Sequence, residues 1–204
     1  MKIKIFSIAL VTGMTIASAL MAQEFLAKKE VRLGKKVADF ALPDSSGKVH
    51  KLSDYRGKIV VIHFWSAECP FVVRYENRIK EITNLYKNKD VVVLGIDSNA
   101  TESRGQISRA IQQRAINYTV LMDQDSKIAD RFGAITTPHV YILNRKGRLL
   151  YEGAFDDQGW AARNPVKTPY VREVLDAMIA KKTVPFSETK TYGCTVKREK
   201  EKAS

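Results

Sequence analysis

Two apolar runs constrain this chain more than any other feature. "KIVVIHFW", residues 58–65, and "DVVVLGID", residues 90–97, are each the length of one β-strand and show almost no polar alternation. A strand that is apolar on both faces must be covered on both faces, as in the middle of a parallel sheet. Parallel neighbours need a crossover, and the residues between the runs supply one. Val72, Tyr75, Ile79, Ile82 and Tyr86 recur at intervals of three and four, one face of a helix over residues 71–86. The three pieces form a βαβ unit, with a right-handed crossover expected.

The remainder extends this pattern. A helix is expected over residues 102–115, with Ile107, Ala110 and Ile111 inward, then a strand over 118–123 and a short helix over 126–132 stopped by Gly133. Residues 139–143 and 148–153 flank the turn "NRKG" and read as a hairpin. A last helix begins near Pro169, with Thr168 as its expected cap and Val171, Val174, Leu175 and Met178 as its buried stripe. Ahead of the first long run, "ADFALPDSSGKVHKLSDYRGK" alternates around a Ser-Ser-Gly turn, a small hairpin beside the main sheet. The whole order is that of one α/β domain, a central mixed sheet flanked by helices.

The first residues read differently. Met1, Lys2 and Lys4 are followed by a short apolar stretch, then by Ala17, Ser18, Ala19 and Ala22. This is the order of a secretory signal peptide, and Ser7, Thr12, Gly13 and Thr15 interrupt it too often for a retained membrane helix. The expected divisions are residues 1–22 as signal peptide, 23–35 as lead-in, 36–186 as the α/β domain, and 187–204 as a C-terminal segment carrying Cys194 and a basic tail. A periplasmic or secreted location follows, in a bacterium, with no membrane span after cleavage.

The formal charge is +12, of which Lys2 and Lys4 would leave with the signal. Basic charge suits nucleic acid or anionic lipid, but an exported chain rarely meets nucleic acid and no aromatic-basic RNA motif is present. A generally basic surface is the reading adopted, with no nucleic-acid partner. The tail "KREKEK", residues 197–202, mixes both signs and is expected to be solvated and mobile.

Two cysteines remain, Cys69 and Cys194. In an oxidising compartment they are candidates for a structural disulfide, or Cys69 is an inert buried thiol. Its position argues for more. It follows a buried strand and precedes a helix whose first N–H groups lack intrahelical partners and whose dipole is positive there, both of which favour thiolate. Pro70 suits the first helical position, where a missing N–H costs nothing.

"VVIHFWSAEC" resembles the active-site approach of the thioredoxin superfamily, in which an apolar strand ends in Phe-Trp-Ala before Cys-Gly-Pro-Cys. "ITTPHVYIL" resembles that superfamily's segment with a cis proline, here Pro138. The leader "VADFALPDSSGKVHKLSDYRGKIVVIHFW" resembles the redoxin and alkyl-hydroperoxide-reductase (AhpC/TSA) branch. The segments "CPFV" and "YGCTVK" are most similar to a peroxiredoxin-like group with a single active-site cysteine and a late Gly-Cys segment. The resemblance spans about residues 36–198 and implies a thioredoxin-like fold with an N-terminal β-hairpin extension.

It further implies that Cys69 is the nucleophile and that Trp65, Pro70, Thr137, Pro138 and His139 shape a substrate groove. Val72 stands where a local resolving cysteine would be, so a dithiol cycle within this motif is excluded. Cys194 is then the candidate to resolve the product, as an alternative to a static bridge or a partner's thiol. His63 stands where thioredoxins often bury a proton-relaying aspartate. It is a candidate relay, or a core histidine bonded to backbone. Ser66 fits the hydroxyl position of the peroxiredoxin motif, while Ile62 replaces that motif's proline. Cys69 and His139 make too small a donor set for a metal. No metal and no cofactor are expected.

Three functions fit these residues. The first is an exported thiol–disulfide oxidoreductase acting on protein or small-molecule thiols and disulfides, with an unidentified electron donor. The second is a peroxiredoxin-type peroxidase acting on hydroperoxides, an antioxidant role. The third is a non-catalytic binding module whose cysteines are permanently bridged.

Overall fold

The computed structural model describes residues 29–159 and 165–199. The expected signal peptide and the end of the basic tail lie outside these. Along the chain come β1 (Ala41–Pro43), β2 (Val49–Lys51), a 3-10 turn (Leu52–Tyr55), β3 (Ile59–Trp65), α1 (Pro70–Tyr86), β4 (Val91–Asp97) and α2 (Arg104–Gln113). Then follow β5 (Thr119–Met122), α3 (Lys127–Phe132), β6 (Thr136–Thr137), β7 (Val140–Leu143), β8 (Leu149–Gly153), α4 (Tyr170–Ile179) and β9 (Cys194–Thr195).

The central sheet runs β5-β4-β3-β7-β8. Its first three strands are parallel and β7 and β8 are antiparallel. All of β3 is buried, as its unbroken apolar run requires. Alternate side chains serve two cores. Ile59, Val61 and Trp65 pack under α1, α2 and α4, with Val72, Ile79, Ile107, Val171 and Leu175. Val60, Ile62 and Phe64 face the other way, against Phe132 of α3 and the leader residues Val31, Val37 and Phe40. The sheet is thus covered on both sides, and the C-terminal end of β3 delivers the chain to α1.

The leader hairpin β1–β2 is a separate two-stranded sheet beside the main one, bridged to β5 between Asp44 and Leu121. A detail elsewhere differs from the sequence expectations. Pro169, not Thr168, stands at the cap position of α4, with no side-chain cap. The Thr168 side chain bonds Asp157 instead, and its carbonyl accepts from the Asp157 and Tyr170 amides.

The C-terminal segment is the larger correction. It is not a loose tail where it can be seen. The amide of Glu152 donates to the Ser187 carbonyl and the amide of Thr189 to the Glu152 carbonyl, running the segment beside β8. Further on, the Lys197 amide donates to Asn99 Oδ1 at 2.9 Å, and Arg198 Nε donates to Asp130 at 2.8 Å. Val196 is sunk into the second core. Burial of the Val196 side chain and the Arg198–Asp130 ion pair fix the backbone here, while the Lys197 side chain stays exposed.

Candidate active site around Cys69 and Cys194

Cys69 caps α1 from an extended conformation (φ −77°, ψ 116°), and Pro70 is the first helical residue. The Cys69 carbonyl accepts the Val73 amide at 3.1 Å, which starts the helix. Its own amide donates to Ser66 Oγ at 3.0 Å, and its thiol donates to the Thr137 carbonyl at 3.1 Å. That carbonyl precedes a cis peptide bond to Pro138. Cys69 is 3% exposed, so its reacting atom sits under cover rather than in an open cleft. Val72 is fully buried in the first core. It acts as packing where a second local thiol would stand.

Cys194 supplies the cover. It lies on β9, which pairs antiparallel with β6, Thr137 opposite Cys194 and Thr136 opposite Thr195. This pairing brings the two sulfurs, 125 positions apart in sequence, to 2.7 Å. Neither cysteine is in a disulfide. A disulfide bond is about 2.05 Å long, so a small approach joins them. Burial and the neighbouring Cys69 push the Cys194 thiol up to about 11, against a lowering contribution from the Phe71 amide at the head of α1. Cys194 is therefore held as a protonated thiol at neutral pH, which suits it poorly to a first attack.

Behind the cysteine lies a polar network that reading the sequence did not anticipate. Ser66 donates its hydroxyl to Glu102, and the Ala67 amide donates to the same carboxylate at 2.5 Å. Glu102 is itself only 2% exposed. Asp97 is its neighbour, and the Asp97 carboxyl is pushed up to about 9 by burial first and by Glu102 next. A protonated Asp97 beside an acceptor Glu102 satisfies both without two buried charges in contact. Asn99 ties this cluster to the tail, since its Oδ1 accepts the Lys197 amide while the Ala100 amide donates to the Lys197 carbonyl at 2.8 Å. Residues 66–68 are thus held from behind and the Cys194 segment from the side. No pattern in the sequence marks Glu102 as a ligand of Ser66; the glycine directly before Cys194 was the one available signal of a tight approach there.

The remaining candidates fall in different places. Pro70 is exposed at the helix start, while Thr137 and Pro138 are buried, with β9 paired onto Thr137. Trp65 is fully buried in the first core and does not line an open groove. His63 points to the same side, edge-on to Tyr118 with ring centroids 5.1 Å apart. Neither of its ring nitrogens has a hydrogen-bond partner, and burial lowers its pKa to about 3. The His139 ring stacks on Tyr141 at 4.4 Å and bonds its hydroxyl, within the Phe64–Phe132–Tyr141 aromatic group of the second core. A strand alternates its faces, so the residue after Pro138 turns away from the Cys69 side. Among the described residues no group of three or more His, Cys, Asp or Glu is placed to hold a metal.

Comparison with known proteins agrees with this architecture. The AhpC/TSA family model matches residues 33–152. A thiol–disulfide oxidoreductase ResA of Geobacillus thermodenitrificans is 25% identical over 128 residues, covering 63% of this chain and 72% of the relative. The crystal structure of an uncharacterised conserved protein of Geobacillus kaustophilus superposes with a TM-score of 0.78 at 28% identity, covering 84% of this chain and 94% of that one. The thioredoxin domain of a thiol–disulfide oxidoreductase from Bacteroides vulgatus shares the fold, with a TM-score of 0.53 at 19% identity over 60% of this chain and 88% of that one. The fold is thioredoxin-like.

Proposed function

We propose that this chain, which belongs to the AhpC/TSA family, is a thiol–disulfide oxidoreductase that cycles Cys69 and Cys194 between a dithiol and one intramolecular disulfide. The observation that carries this is the 2.7 Å contact between the two sulfurs, one of them at a helix start. Relatives of 25% identity that are named thiol–disulfide oxidoreductases support it.

In this reading the Cys69 thiolate attacks one sulfur of a substrate disulfide, forming a mixed disulfide and releasing one substrate thiol. Cys194 then attacks the Cys69 sulfur, releasing the second substrate thiol and leaving the Cys69–Cys194 bridge. The helix N-terminus and the Thr137 carbonyl orient the first thiol, while the β6–β9 pairing brings up the second. The high position of Cys194 keeps it from competing for the first attack. An external dithiol restores the reduced form. Export belongs to the same reading and is supported by the basic start and apolar stretch of residues 1–22.

Reaction of the reduced protein with oxidised glutathione tests it. Wild type should lose two thiols and release two glutathiones. Cys194→Ser should stop at the mixed disulfide, and Cys69→Ser should not react at neutral pH. Full reactivity of Cys69→Ser would sink the reading. A bridge that survives mild reductant in wild type would favour the structural-disulfide alternative.

A further inference from the structure

Gly193 stands at the tightest backbone contact of the site. Its φ of +155° is one that side-chain-bearing residues rarely adopt. A Cβ placed there would meet the Thr137 oxygen at 2.1 Å, the Thr137 carbonyl carbon at 2.6 Å and Pro138 N at 3.1 Å. All three are backbone atoms, and none is the end of a flexible side chain. The Thr137 oxygen is also the acceptor for the Cys69 thiol. The glycine therefore touches the same carbonyl that orients the first sulfur, one residue before the second.

We propose that Gly193 is the positioning residue that couples Cys194 to Cys69, by letting β9 press against the Thr137–Pro138 backbone without a side chain between them. The assignment rests on the redox role proposed above. Other supports flank the segment: the Thr189 amide on the Glu152 carbonyl before it, and the Thr136–Thr195 pairing, the Val196 amide on the Ile135 carbonyl and the Lys197 amide on Asn99 after it. They hold the strand in the region, but only the bare backbone at 193 permits the final approach of the sulfur. A Cβ at 193 would sit 2.1 Å from the Thr137 oxygen, so β9 or the Thr137 backbone must shift to admit it.

The functional consequence is the ease with which the chain gives up two electrons. In the reaction with oxidised glutathione, protein dithiol and one glutathione disulfide become protein disulfide and two reduced glutathiones, each protein thiol giving its proton to a leaving glutathione thiolate. The equilibrium constant of that exchange is the effective concentration of one protein thiol for the other, and it depends on how well the pair is held.

The experiment equilibrates wild type and Gly193→Ala with graded mixtures of reduced and oxidised glutathione, and reads the Cys69–Cys194 bridge by thiol trapping and intact mass. The effective concentration is expected to fall by about tenfold or more in Gly193→Ala. In a Cys194→Ser background, adding Gly193→Ala should change the alkylation rate of Cys69 by less than about threefold. An unchanged glutathione equilibrium overturns the assignment, as does a large change at Cys69 in the Cys194→Ser background, which would mean the Thr137 carbonyl yielded instead of β9. Asn99→Ala, which frees the Lys197 amide, gives a second reading if Gly193→Ala does not fold. It should lower the same equilibrium by loosening the β9 segment that Gly193 lets approach, and no change there also counts against the assignment. A wild-type protein that forms no Cys69–Cys194 bridge in any mixture fails the proposed function itself. A bridge formed equally by both proteins fails only the role of Gly193.

Discussion

Ser66 and Glu102, 36 positions apart, meet in the interior, the hydroxyl of one donating to the carboxylate of the other. The same serine oxygen accepts the Cys69 amide, so the carboxylate acts on the cysteine through one intervening residue. Removing it with Glu102→Ala strands two buried donors, Ser66 O–H and Ala67 N–H. At about 1–3 kcal/mol for each stranded group, the loss should be about 2–6 kcal/mol, read as a lowered urea midpoint. Glu102→Gln keeps one acceptor oxygen and should lose less. Equal losses in the two variants would show that packing, not hydrogen bonding, is what Glu102 contributes.

Asp97 should give the protein a particular pH dependence. The folded chain keeps this proton up to about pH 9, whereas an ordinary aspartate releases it near 3.8. Between those values the folded state binds more protons than the unfolded one, so this group's contribution to stability falls as pH rises through the window. Asp97→Asn has nothing to titrate and its amide still donates. Unfolding midpoints measured from pH 5 to pH 9 should therefore fall more for wild type than for Asp97→Asn, and parallel curves would disprove the assignment.

Cys194 should become easier to ionise when its neighbour is removed. Two of the influences that raise its pKa to about 11, the hydrogen bond and the charge interaction, come from Cys69. In Cys69→Ser the titration of Cys194 should move downward, although burial, the first-ranked cause, persists. A lower pKa means more thiolate at a given pH, so iodoacetamide should alkylate Cys194 at pH 9 in Cys69→Ser faster than a pKa of about 11 allows. The direct check is the alkylation rate of Cys194 against pH in Cys69→Ser, where a midpoint still near 11 would contradict the prediction.

Peroxide should not be helped by Ser66. Its hydroxyl proton is directed to Glu102 and its oxygen already accepts the Cys69 amide, which leaves no donor for a hydroperoxide oxygen. Ser66→Ala should slow the reactions of Cys69 with hydrogen peroxide and with oxidised glutathione in the same proportion. A selective loss of the peroxide reaction would move the chain to the peroxidase reading.

The long elements were open to inspection because each carries its own period. The two apolar runs became β3 and β4, and the stripe from Val72 to Tyr86 became the buried face of α1. Cys69 was found for the same local reason, since a strand, a cysteine, a proline and a helix follow one another without a gap. His139 was misplaced because a resemblance gives neighbours along the chain, whereas the face a side chain takes depends on the strand's twist and register.

The sheet's central strands, the helix that Cys69 introduces and the missing second thiol at Val72 are all legible along the chain, because they depend on residues that lie close together in it. The meeting of Cys194 with Cys69, the backing of the loop by Glu102 and Asp97, and the seat of Gly193 on the Thr137 carbonyl emerge from the folded chain alone. Those relations join residues far apart in the chain. They arise from strand pairing through the backbone and from buried partners that meet across the fold, and neither leaves a periodic signal along the chain.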